Sequence, residues 1–194
     1  MSLPKIAIVG PESSGKTTLS DELMMRIGGG RVSDGTRELL EELDRPYVED
    51  DLLQLARSQA QWFEDAPQFA MEHWAAVSSD DRFESNAPME PVYFDCDILN
   101  IKIWSQEKFG RVDPEIERLV RELHYDLRLL CRPDIPWEPD PFRENPHDRD
   151  RLFEIWEREL KAYGFPYVII EGKREDRISK AVSVVEALLR GSGS

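Results

Sequence analysis

Apolar positions along the chain fall into five short continuous runs, separated by stretches in which they recur three and four residues apart. KIAIVG (5–10) has the length of a buried strand, and KTTLSDELMMRI (16–27) behind it has helical spacing. GGGRVSD (28–34) predicts a turn and a brief second strand, and TRELLEELD (36–44) a helix. The stretch 50–79 predicts one long helix, bent near Pro67. PVYFDCD (91–97) is a third strand that runs into a helix ending near Phe109, and Asp113–Pro114 opens a further helix to Leu123. YDLRLLC (125–131) is a fourth strand, and YVIIEG (167–172) a fifth, with helices over 151–164 and 176–190. Strands alternating with helices predict an α/β fold with a five-stranded parallel sheet and helices on both faces. The proline-rich, charged stretch 131–150 reads as a long loop inside a single domain spanning 1–190, and loops of that length are usually functional. GSGS at 191–194 reads as a tail outside the fold.

Composition narrows the function classes. The chain has 194 residues, enough for one sizeable core, and a formal charge of −14. Such a surface repels a polyanion, so nucleic-acid binding is not expected, while a small anion can still bind in a local basic pocket. Cys96 and Cys131 lie in or beside apolar stretches and read as buried thiols of a reducing compartment. No run is long enough to span a bilayer and no secretory leader is visible, so a cytoplasmic location without membrane attachment is expected. The three histidines and two cysteines show no structural-zinc spacing.

The chemistry begins at GPESSGKTT (10–18), which fits G-x-x-x-x-G-K-[ST] between a strand and a helix. Gly10 and Gly15 let the backbone curl so that the amides of Glu12, Ser13, Ser14, Gly15 and the following Lys16, Thr17 and Thr18 face an anion. Lys16 reaches the β- and γ-phosphates and Thr17 ligates Mg²⁺, so the loop predicts binding of ATP with Mg²⁺. A switch GTPase would need N-K-x-D and D-x-x-G elements, which are absent, and motors or AAA+ ATPases are usually longer. A small kinase needs only a further carboxylate and a basic lid. Asp95, at the C-terminal end of the third strand, is the candidate Mg²⁺ ligand or base. Asp97 is either a second catalytic or acceptor-binding carboxylate or a helix N-cap. Arg143, Arg149 and Arg132 in and around the long loop either clamp the transferred phosphoryl group or pair with acidic neighbours. Toward the C terminus, Gly172 sits where the adenine-side loop would begin, with Lys173 or Arg177 against the purine.

GPESSGKTTL, the Arg37–Glu38 pair, F-D-C-D and Y-D-L-R-L-L-C-R-P-D-I-P-W-E-P-D-P-F-R-E-N-P together resemble the NadR-like P-loop nucleoside kinases over roughly residues 4–190. The resemblance implies a three-layer P-loop NTPase fold with a lid at about 132–149. It also implies transfer of the γ-phosphoryl group of ATP to the 5′-hydroxyl of nicotinamide riboside, a small-molecule acceptor. Lys16 and Thr17 would serve ATP and Mg²⁺, Asp95 and Asp97 would match the family's D-T-D, and Trp137, Asp140 and Arg143 its lid. The chain departs from the family at Asp34–Gly35–Thr36, where members often have an aromatic residue before Arg-Glu. That loss removes a stacking surface for the acceptor ring and makes Asp34 a candidate for binding ribose hydroxyls or for the base, against its reading as a turn residue. Arg37 and Gln59 are further acceptor candidates, and Trp62 reads as core. A kinase for another nucleoside or vitamin alcohol, and an ATP-binding regulatory protein with little turnover, are the alternatives.

Overall fold

The computed structural model describes residues 3–33, 35–77, 91–140, 143 and 147–191, the side chains of Pro67 and of 69–77 excepted. Asp34, part of the lid and the end of the GSGS tail therefore lie outside the described residues. The strands are β1 (Lys5–Val9), β2 (Gly30–Val32), β3 (Val92–Asp95), β4 (Leu127–Cys131) and β5 (Tyr167–Ile170). The helices are α1 (Lys16–Ile27), α2 (Thr36–Glu42), α3 (Glu49–Val77), α4 (Ile98–Phe109), α5 (Pro114–Glu122), α6 (Arg149–Tyr163) and α7 (Arg174–Gly191). Every strand pair is parallel, in the order β2-β3-β1-β4-β5. All five C-terminal ends therefore meet at one edge, and the chain reverses its direction of winding beside β1, where open sheets of this kind place ligands.

Two apolar layers hold the sheet. On one face Ile6, Ile8, Tyr93, Leu127, Leu129 and Ile170 pack with Leu19 and Leu23 of α1 and Ile178, Ala181 and Val185 of α7. On the other, Ala7, Val9, Phe94 and Leu130 pack with residues of α3 to α6, including Leu52, Ile101, Ile116 and Trp156. Alternate residues of one strand thus serve opposite layers, the period-two rule applied to strands buried on both sides. Cys96 and Cys131 are both buried and free, as their surroundings in the sequence predict, and burial pushes the Cys131 thiol up to about 11.

α3 runs through Pro67 without interruption. Proline has no N–H to give the carbonyl of Phe63 four residues earlier. The Lys5 ammonium supplies that bond instead, donating to the Phe63 carbonyl at 2.8 Å while lying 3.4 Å from the centroid of the Phe63 ring. At the other end of α3, the Asp51 carboxylate accepts from the Val48 N–H at 2.7 Å and from both terminal nitrogens of Arg45. These bonds hold the turn between α2 and α3, and they lower the Asp51 carboxyl from an ordinary 3.8 to about 2.

Asp97 corrects its sequence reading. Its side chain is 1% exposed and accepts from Arg128 Nε at 2.7 Å, within the α3–α6 layer rather than in the ligand edge. It makes no side-chain cap to α4 either. Arg128 sits inward on β4 with its guanidinium 3.9 Å from the Phe165 ring centroid and 4.9 Å from that of Tyr125. A charge on a two-sided buried strand needs a counter-charge, and Asp97 is the one within reach. Burial, reinforced by the Asp97 carboxylate, pushes the Tyr125 phenol well up.

Two expectations follow from these contacts. Asp97→Ala leaves Arg128 buried without its partner and should cost about 3–5 kcal/mol in urea unfolding. Replacing both residues by leucine and methionine should cost far less, and equal losses would show that the charges are not coupled. Asp51→Ala should cost about 1 kcal/mol at neutral pH through the lost cap. A carboxyl with a depressed pKa stabilises the fold above its unfolded value and loses that effect as pH falls. The stability gap between parent and Asp51→Ala should therefore be constant above about pH 4 and close as pH falls toward 2.

Candidate functional site

The end of β1 turns directly into the loop 10–15 and then α1. Gly10 has φ +134° and lies so close to β4 that an added Cβ would stand 2.7 Å from the Cys131 carbonyl oxygen, so no side chain fits there. α1 begins at Lys16 behind Gly15, whose lack of a side chain leaves the first amides of the helix uncapped and facing the loop. Lys16 Nζ donates to the Gly10 and Pro11 carbonyls at 2.9 and 2.8 Å, and the Ser14 hydroxyl donates to the Pro11 carbonyl at 2.8 Å. Thr17 Oγ1 donates to Asp95 Oδ2 at 2.7 Å. Asp95 reaches it because β3 pairs in register with β1, Ile8 opposite Asp95. A hydroxyl and a carboxylate side by side at the head of an anion loop are hard oxygen donors of the type Mg²⁺ takes. Among the described residues no cluster of three or more His, Cys, Asp or Glu side chains is arranged to hold a metal. Two such donors, Thr17 and Asp95, suit an ion that keeps waters and phosphate oxygens as its other ligands.

The loop opens into a cleft of about 720 Å³, the size of a small-molecule site. Gly10 to Thr18 form one end. Thr36 and Leu40 of α2, Tyr47, Asn100 and Trp104 of α4, and Leu152 and Trp156 of α6 form its walls. Tyr47 and Trp104 pack edge to face, with centroids 4.8 Å apart, and the Trp104 indole N–H donates to the Tyr47 hydroxyl at 2.7 Å. Lys16, Arg45, Lys108, Arg143 and Arg151 also line the cleft. Glu12, Glu107 and Glu138 line it as well, so cations outnumber carboxylates there although the whole chain carries −14. The aromatic wall escaped the sequence reading. Tyr47 lies in a connection, Trp104 on α4 and Trp156 on α6, and no local spacing relates the three.

The remaining candidates divide between cleft and scaffold. Glu12, Ser13, Ser14 and Thr18 line the cleft with the loop glycines. Arg143 lines it too and donates to the Glu138 carbonyl, while its own N–H bonds to the Asp140 carbonyl at 3.1 Å. Arg37 and Asp140, separate acceptor candidates in the sequence, meet in an ion pair of 2.6 Å that joins α2 to the lid. Trp137 lies under the Arg149 guanidinium, 5.6 Å from it, and does not line the cleft. Gln59 is buried and borders a separate cavity of about 10 Å³ with Trp62, Cys96 and Tyr125, too small for a nucleoside. The Trp62 ring covers Gly35, where an added Cβ would lie 2.3 Å from Cη2, so an aromatic ring does occupy the neighbourhood of the Asp34–Gly35–Thr36 departure. Gly172 donates its N–H to Asp134 at 2.7 Å. Arg177 is a correction: it is 5% exposed and held by carbonyls of the loop and of Arg132, not presented to a purine. Arg132 pairs with Glu171 at 2.8 Å and stacks over Phe153.

A family model described as AAA domain matches residues 5–177. The expectation from length had set the AAA+ ATPases aside, so this description enlarges the kinship read from the sequence. The structure superimposes on NadR solved with NAD and AMP-PNP at a TM-score of 0.69 and 20% identity, and on NadR solved with NR at 0.69 and 21%. Both alignments cover 96% of this chain and 49% of the NadR chain, so it spans about half the length of those relatives. Thymidylate kinase from Ehrlichia chaffeensis superimposes at 0.62 and 14% identity, covering 94% of this chain and 98% of the other. Deoxyadenosine kinase from M. mycoides does so at 0.61 and 14%, covering 94% and 99%. Among the described residues no helix is long and apolar enough to cross a membrane. The loop, the parallel sheet and the helices on both faces are those of a P-loop kinase fold of the NadR type, and the chain belongs to the AAA domain family.

Proposed function

We propose that the protein is an ATP-dependent kinase that phosphorylates the 5′-hydroxyl of a nucleoside-like acceptor, nicotinamide riboside first. The observation that carries this reading is the continuity of the site. The Lys16 loop and the Thr17–Asp95 pair stand at the head of a cleft walled by Tyr47, Trp104 and Trp156. The nicotinamide riboside ring is planar, and the aromatic wall of the cleft suits such a ring. The likeness to NadR solved with NR supports the same acceptor.

In the proposed reaction the loop amides and Lys16 hold the β- and γ-phosphates, and Arg143 approaches the transferred group from the lid. Thr17 would hold Mg²⁺, with Asp95 meeting the ion only through a bound water and so free to act as a base, and the ion would neutralise phosphate charge. The acceptor oxygen forms a bond to the γ-phosphorus as the bond to the β–γ bridging oxygen breaks. ADP leaves, and the hydroxyl proton passes to the Asp95 carboxylate. With Asp97 paired to Arg128, we assign that task to Asp95, which is held by the cleft-lining Thr17. The Asp34–Gly35–Thr36 departure favours, as a second reading, the same chemistry on a different nucleoside.

The test is ADP release from Mg-ATP with nicotinamide riboside and with a panel of ordinary nucleosides. Release that depends on nicotinamide riboside, and falls at least about a hundredfold in Lys16→Ala and Asp95→Asn, is expected. Release with another nucleoside alone would move the assignment to that acceptor. ATP binding without release on any acceptor would overturn the kinase reading.

A further inference from the structure

A peptide unit is planar and trans, so its C=O and N–H point in opposite directions. A loop whose N–H groups face an anion must therefore turn its carbonyls outward, and each outward carbonyl needs a donor. At Ser14 that donor is Arg177. One terminal nitrogen of its guanidinium donates to the Ser14 carbonyl, and the other donates to the Arg132 carbonyl at 2.6 Å and to the Asp134 carboxylate. Asp134 in turn accepts the Gly172 N–H at 2.7 Å. Arg177 is only 5% exposed, and its Nη1 would stand 3.2 Å from a Cβ placed on Gly15, so it lies directly behind the loop. Arg149 does the same one peptide earlier, donating to the Ser13 carbonyl and to the Ile135 carbonyl, both at 3.1 Å.

We infer that Arg177 is a positioning residue for the phosphate loop. By holding the Ser14 carbonyl outward it aims the Gly15 N–H at the β-phosphate, and Asp134 holds Arg177 in place. The inference rests on the reading of loop 10–18 as a phosphate cradle, and it requires no particular acceptor. A planar fork is needed, since the bonds to Ser14, Arg132 and Asp134 leave one guanidinium in fixed directions that an ammonium cannot reproduce together.

The experiment is calorimetric titration of the full chain with pyrophosphate and with ADP, beside the ³¹P shift of the bound ADP β-phosphate. Arg177→Ala should weaken both ligands at least about tenfold, the scale of a charged hydrogen bond lost from a preset site. It should also return the β-phosphate shift toward its free value. Arg177→Lys should recover only part of the affinity, and Asp134→Asn should show a smaller loss of the same kind. If Arg177→Ala does not fold, Arg177→Lys decides by the same readings. A folded variant that binds pyrophosphate within twofold of the parent with an unmoved β-phosphate shift would overturn the inference, as would full recovery by lysine. A parent chain that binds neither pyrophosphate nor ADP would instead remove the kinase reading itself.

Discussion

Turning a short loop so that its amides face inward forces its carbonyls to face the protein, and the rest of the ligand edge is arranged around satisfying them. Lys16 takes the carbonyls of Gly10 and Pro11, Arg149 that of Ser13 and Arg177 that of Ser14. These donors come from α1 itself, from the start of α6 and from α7, the last two more than a hundred residues beyond α1 in the chain. Their convergence depends on β1 lying between β3 and β4, and β4 beside β5, because each neighbour's C-terminal end then delivers one part of the support. Gly10 marks the same constraint from the inside: the loop passes so close to the β4 backbone that a methyl group there would collide with Cys131.

Charge is distributed to match. Arginines gather at the ligand edge of this acidic chain, and several there, Arg45, Arg151 and Arg177 among them, also meet a carboxylate. Arg128 illustrates the cost of placing a charge elsewhere. Facing a core layer from a strand covered on both sides, it is stable only because Asp97 turns inward to meet it. One of the two carboxylates of F-D-C-D is thereby committed to the core, while Asp95, two residues before it, reaches Thr17. Cys96 between them takes a φ of +91°, the local backbone distortion that sends the two aspartates in different directions.

The acceptor side is built less from motif than from packing. Tyr47 is set by the turn that Arg45 and Asp51 hold, and Trp104 is set against Tyr47 by an indole hydrogen bond. Arg37 and Asp140 then tie α2 to the lid. In this arrangement the proposed acceptor pocket and the proposed phosphate cradle share one wall of lid residues.

Much of this could be read in the amino-acid order. Strand and helix periods gave all five strands and the order of the helices, because burial on one or both faces imposes periods of two or 3.6 on any chain. The strand–loop–helix turn at 10–18 was legible too, since its glycines, lysine and threonine are adjacent and act through local backbone geometry. That Asp95 ends a strand was legible as well, from the apolar run before it. What tertiary structure decided was which way side chains turn once the layers close. Asp97 reads as a site carboxylate or a helix cap until Arg128, on the strand across β1, supplies a buried charge that must be met. Arg177 reads as a purine contact until the Ser14 carbonyl claims it, and Tyr47, Trp104 and Trp156 form a wall only because three distant elements pack around one cleft. Local order determines backbone conformation and the chemistry of short motifs. Partners distant in sequence are chosen by burial, where an unpaired charge or carbonyl costs more than any local preference can return.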